Sequence, residues 1–220
     1  MNQFNQNNNQ PDDLDHYASN WNLIATSLWG FFIVIINAWL QVVISLTILS
    51  DFDASESEQQ IKNFLESLAE NGSAFSVATI ISSLSTCILI IGIIKLKRGA
   101  NIWKYLAIHA TTRKNLLTWV GIILAFVVLS DLFSYFLGRP FTPDIMAKIY
   151  SSTNPVWLIW ITLIIAGPLF EETLFRGFLF RGFSSSFLGP MGSVSMTAAI
   201  WAILHIQYDF YAIVTIFFMG

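Results

Sequence analysis

The chain has 220 residues, 55% hydrophobic and only 11% charged, where a soluble domain carries about 25% charged residues. A formal net charge of −3 with no basic stripe argues against nucleic acid as a partner, and a lone cysteine, Cys87, excludes an intrachain disulfide framework. The composition is that of a polytopic membrane protein with lipids as its immediate partners, its nineteen Phe and eight Trp suited to lipid-facing helices and aromatic belts.

Residues 1–20 are rich in Asn and Gln, include Asp12, Asp13 and Asp15, and contain no Lys or Arg. They read as a disordered polar tail. Without a basic n-region, the apolar segment behind the tail reads as a retained helix, from about Trp21 to Leu49. An acidic stretch follows, in which Ile61, Phe64, Leu65 and Leu68 recur at helical spacing and suggest a short amphipathic helix. A second span covers about Ala74 to Ile94. Lys95, Lys97, Arg98, Lys104, Arg113 and Lys114 then crowd one connection. The positive-inside rule places that loop and the N-terminus in the cytoplasm, and the acidic loop outside. Trp103, Tyr105 and His109 suggest a short interfacial helix, with His109 a surface side chain.

The third span runs from about Asn115 to Leu137. Its Asp131 is either a functional intramembrane carboxylate or, the favoured reading, a water-facing or Tyr135-bonded group near the outer boundary. The fourth helix is expected to start with Asn154 as N-cap and Pro155 at the first helical position, running inward through Pro168 to about Phe180. A fifth, from about Met191 to His205, is rich in Ser193, Ser195, Ala198, Ala199 and Ala202, which let transmembrane backbones approach closely. A sixth apolar run, Phe210 to Gly220, is about half the roughly 20 residues a span requires. The expected fold is an all-α polytopic transmembrane helix bundle, five clear spans plus a truncated sixth. It divides into the tail 1–20, a region 21–114 with two helices and two loops of opposite charge, and a core 115–220 that is incomplete at its C-terminal end.

The chemistry concentrates in GPLFEETLFRGFL, where Glu171, Glu172 and Arg176 interrupt an apolar run. Each charge near the bilayer centre costs about 2.5–3.5 kcal/mol on insertion scales, so such groups are usually paired and often functional. Glu172 and Arg176 are four residues apart and share one helix face, the spacing of a structural ion pair. Glu171 points elsewhere without a local partner, and an unpaired carboxylate in a poorly solvated cavity suits general base or acid work. Pro168, three residues earlier, removes a backbone hydrogen bond and is expected to kink the helix, opening room for water. His205 ends the fifth helix with Trp201 one turn before it, an aromatic placed to fix the imidazole. Thirty-four residues separate Glu171 from His205, enough for one reversal between neighbouring helices. If the fifth helix spans fully, His205 overshoots Glu171 in depth; a short, tilted or re-entrant helix removes the conflict. No His-Glu-x-x-His, Gly-x-Ser-x-Gly, phosphate-loop or Cys/His metal spacing is present.

These two motifs, GPLFEETLFRGFL and Trp201-Ala-Ile-Leu-His205, resemble those of the intramembrane CAAX-protease and bacteriocin-processing family, with Trp201 where the family usually has Phe. The resemblance covers about Pro155 to Gly220. It implies a membrane-embedded endopeptidase, acting near the cytoplasmic face on a peptide or prenylated-protein substrate. Glu171 and His205 would activate the attacking water while Glu172 and Arg176 hold the helix. The resemblance leaves two mechanisms open, a divalent metal such as zinc held in part by Glu171 and His205, or a metal-free glutamate mechanism; two ligands fall short of the three a catalytic zinc takes. The family carries a further C-terminal segment with site residues, so the chain as it stands is expected to be inactive. A reading from another class is a non-catalytic membrane protein for bacteriocin self-immunity or scaffolding.

Overall fold

The computed structural model describes residues 20–49, 70–139 and 142–220. The acidic amphipathic segment around residues 61–68 and the N-terminal tail lie outside the described residues. Every regular element among the described residues is helical: α1 (Leu23–Ile48), α2 (Gly72–Leu96), α3 (Ile102–Tyr105), α4 (Arg113–Phe136), α5 (Asp144–Ser152), α6 (Trp157–Ser184), α7 (Gly189–Ile203) and α8 (Phe210–Met219). Helices α1, α2, α4 and α6 are long and apolar enough to cross a membrane, which makes this a multi-pass membrane protein. With 15 residues, α7 is shorter than a full span, and α8 has 10.

Helices α1 and α2 are antiparallel and held by polar side chains inside an apolar seam. Asn37 donates to Thr86 Oγ1 at 2.8 Å and Gln41 to Thr79 Oγ1 at 2.9 Å. In lipid such bonds matter because the helices gain little from apolar burial alone. Helix α6 runs parallel to α2, with Thr162 Oγ1 donating to the Ser76 carbonyl at 3.2 Å. Against α1 it comes close enough that a Cβ on Gly182 would collide with Thr26. The core lies where these three helices meet, built from Ile33, Ile90, Ile94, Leu174, Phe178 and Leu179.

The ends of the bundle differ in charge. Arg181, near the end of α6, donates to the Lys104 carbonyl at 2.5 Å, beside the loop that carries Lys95, Lys97 and Arg98. Tyr105 of α3 is buried there, which pushes its hydroxyl up to about 12. At the opposite end Ser152 ties α5 to the start of α2, donating to the Glu70 carbonyl at 2.6 Å while accepting from Gly72 N–H at 2.9 Å. Helix α4 leans on α8 through few contacts. Arg139 pairs with Asp209 at 2.5 Å, and Tyr211 bonds Ser134 at 3.0 Å.

Three details depart from the sequence reading. Helix α6 begins at Trp157, not Pro155, and Asn154 is not its cap. The Asn154 backbone is instead held by Ser73, which accepts from its N–H at 2.8 Å and donates to its carbonyl at 3.1 Å. His109 is exposed but not helical, because α3 stops at Tyr105 and Ala107 turns to a φ of 52°. Helix α5 was not anticipated.

Candidate active site

Pro168 decides the shape of the helix that carries the glutamates. It has no N–H to offer the carbonyl four residues back. The defect is spread as π-helix over Thr162–Ala166, where Gly167 N–H closes on the Thr162 carbonyl. A short α-helical stretch, Gly167–Glu171, follows, and then a second π-helix, Glu172–Leu179. The proline therefore yields wide winding, a form that recurs at functional sites. The second π-stretch turns Leu174, Phe175, Phe178 and Leu179 into the core while Glu172 and Arg176 stay exposed.

Glu171 and Glu172 consequently part company. Glu172 forms the expected ion pair with Arg176, but both side chains are 54% exposed. The pair sits on the open side of α6, outside the packed core, because α2 and α1 occupy the other face. Arg176 also donates to the Gly220 carbonyl at 3.4 Å. Glu171 is half-buried and faces a cleft lined by Phe175, Arg176, Thr197, Trp201 and Gly220. The cleft offers ≈ 30 Å³, and since a water needs at least about 10–15 Å³ of such space, it has room for one or two waters.

His205 reaches this neighbourhood because α7 is short. Helix α6 extends to Ser184, four residues past the expected end, then reverses over Ser185–Leu188 into α7. The fifteen residues of α7 rise only about 22 Å at ~1.5 Å each. His205, just beyond it, thus returns to the level of Glu171. Glu171 itself lies near the middle of α6, fourteen residues after Trp157 and thirteen before Ser184. It sits midway along the helix rather than at either end.

The imidazole is held from three sides. Its Nδ1 lies 2.8 Å from the Trp201 carbonyl. A carbonyl only accepts, so Nδ1 carries a proton, and in the neutral form of the ring Nε2 is left with its lone pair. The Trp201 ring meets it edge-on at 5.3 Å and Tyr208 stacks at 6.1 Å. His205 and Arg176 lie near the Glu171 carboxyl, which the Trp201 indole N–H also faces. A carboxylate, an imidazole lone pair and space for water therefore share one locality, the requirements for general-base activation of water.

Thr197, Trp201 and His205 form one stripe at successive intervals of four on and just beyond α7. The spacing of Thr197 is legible in the sequence, although the small residues around it draw attention first. Asp131 is exposed and lines a separate, larger cleft of ≈ 430 Å³ with Arg139, Asp144, Tyr208 and Asp209. There Asp209 caps α8 through the Ala212 N–H. That N–H, with Arg139 beside it, holds the Asp209 carboxyl below its usual range. Among the described residues no three His, Cys, Asp or Glu side chains converge on a metal-sized space. Glu171 and His205 are two donors where a catalytic zinc takes three protein ligands, so the described residues by themselves do not make a zinc site.

Comparison with known proteins bears on the same segment. Residues 153–220 match the model of a family described as type II CAAX prenyl endopeptidase Rce1-like. The motif resemblance is shown over that stretch. It contains every residue lining the Glu171 cleft, and His205 as well. The UPF0177 protein YbdI of Lactococcus lactis subsp. lactis (strain IL1403) is 26% identical over 95 residues, 40% of this chain and 52% of that protein. The chain thus spans about half the length of the curated relative it matches. No solved structure matches.

Proposed function

We propose that this protein is an intramembrane endopeptidase of the CAAX-prenyl-protease type, hydrolysing a peptide bond with a water activated by Glu171 and His205. The observation that carries the proposal is the return of His205 to the depth of Glu171, beside a cleft that admits water, within the Rce1-like segment. Glu171 accepts the proton as the water oxygen attacks the scissile carbonyl carbon, then passes it to the departing amine when the C–N bond breaks. His205 Nε2 accepts the water's second hydrogen bond and fixes its orientation. Glu172 and Arg176 hold the π-wound segment in register. A prenylated peptide suits the setting, because its lipid chain partitions into the bilayer beside the open side of α6.

The test uses the protein in proteoliposomes with a prenylated peptide ending in a CAAX sequence. Glu171→Gln and His205→Gln should each lower the cleavage rate by about 10²-fold or more, the usual contribution of general-base catalysis, at unchanged membrane abundance. A Glu171→Gln protein cleaving at the wild-type rate overturns the assignment.

A further inference from the structure

The residue between the two catalytic candidates carries a group that the scheme above leaves unused. Trp201 lines the Glu171 cleft with its indole, while its main-chain carbonyl holds His205 Nδ1 at 2.8 Å. Its Nε1–H is buried and has no hydrogen-bond partner of ordinary geometry among the described residues. A buried donor without an acceptor costs about 1–3 kcal/mol, and such groups in native structures call for an explanation. The acceptor this N–H faces is the Glu171 carboxyl.

We infer that Trp201 is a positioning residue for Glu171: its indole N–H donates to the Glu171 carboxylate, directly or through a water in the cleft, while its carbonyl fixes the His205 tautomer. One residue thus sets the orientation of both catalytic groups. The ring also packs edge-on against the imidazole at 5.3 Å, so turning the indole away would undo both contacts together. Phe175 and Thr197, the other uncharged side chains of the cleft, do not duplicate the role. Phe175 has no polar atom, and the Thr197 hydroxyl is committed to the Ser193 carbonyl at 2.8 Å. The charged groups around Glu171 are Glu172 and Arg176 on its own helix and His205 beyond α7. Helix α2, packed behind, carries no charged or histidine side chain between Gly72 and Ile94.

This inference rests on the proposed protease reading for its catalytic consequence, but its contact can be tested without turnover. Dicyclohexylcarbodiimide modifies carboxyls in apolar surroundings when they are protonated, and a donor to the ionised form protects them. The Trp201→Phe protein keeps the ring and the main-chain carbonyl and loses only the N–H. Labelling at pH 7 in proteoliposomes, quantified by peptide mass spectrometry, should rise about fivefold or more at Glu171, as loss of a hydrogen bond to a charged group implies. Labelling at Glu172 should not change. Where peptide is cleaved, kcat should fall about tenfold with KM within about twofold, the pattern of a contact acting on the chemical step. Unchanged labelling at Glu171 overturns the inference, and so does a parallel rise at both glutamates, which marks general loosening. Selective labelling in a protein that cleaves no peptide would uphold the indole contact and remove the protease reading.

Discussion

At position 171 the carboxyl shares a cleft with an indole N–H and lies near His205; at position 172 the next carboxyl pairs with Arg176 on the exposed side of the same helix. The two should respond differently to the same isosteric change. An ion pair this exposed in water contributes only about 0–1 kcal/mol. Glu172 lies at mid-depth of a membrane span, however, where an unpaired Arg costs about 2.5–3.5 kcal/mol on insertion scales, and the second figure governs. Glu172→Gln should therefore reduce the yield of inserted protein severalfold, whereas Glu171→Gln should leave yield unchanged and remove cleavage. Quantitative blots of the membrane fraction decide it, and equal yields from the two variants would sink the division of labour. The four-residue spacing made the Glu172–Arg176 pair legible in the sequence. Its exposure was not, because spacing fixes an azimuth on one helix and says nothing of which neighbours cover that azimuth. The orphaned indole N–H of Trp201 was hidden for the same reason.

Between the elements, α1 approaches α6 closely at Gly182. A Cβ there would meet Thr26, which is fully buried and donates to the Trp21 carbonyl at 3.2 Å. Gly182→Ala should thus destabilise the fold despite the gain in helix propensity, since overpacking costs about 1–3 kcal/mol and the Gly-to-Ala propensity gain is about 1. Thermal unfolding in detergent should show a lower midpoint, recovered in part by Thr26→Ala in the same chain; a midpoint at or above wild type would show that the two helices separate without loss. Element positions were readable to within a few residues wherever apolar runs were long, as in α1, α2, α4 and α6. Short elements were less so. Helix α5 buries Ile149 and caps with no side chain, leaving little beyond Ile145, Met146 and Ile149 to announce it. Pro168 signalled an irregularity, but a missing hydrogen bond can be absorbed as a kink or as π-winding, and only the packing of Leu174, Phe178 and Leu179 against α1 and α2 selects the second.

Across the whole molecule, charge separates the two ends of the bundle more sharply than the loops alone indicated. Lys95, Lys97, Arg98 and Lys104 are joined at one end by Arg181, whose guanidinium donates to the Lys104 carbonyl at 2.5 Å. The other end gathers Glu70, Asp131, Asp144 and Asp209, with Lys148 and Arg139 each in an ion pair there. Basic side chains are retained on the cytoplasmic side of short loops, so the end holding Arg181 should face the cytoplasm. The end holding α5 and the Asp131 cleft should face outward. Cys87 is 9% exposed, and replacing it with Ser gives a background for single cysteines at two exposed positions, 104 and 144. A membrane-impermeant maleimide applied to whole cells should label Asp144→Cys at once and Lys104→Cys only after permeabilisation. The Lys104 substitution leaves its carbonyl free to hold Arg181, so the variant does not disturb the contact that defines its end. Labelling at 104 in intact cells would invert the molecule, and it would place the Asp131 cleft, whose lining residue Tyr208 stacks on His205, on the side where cytoplasmic substrates arrive.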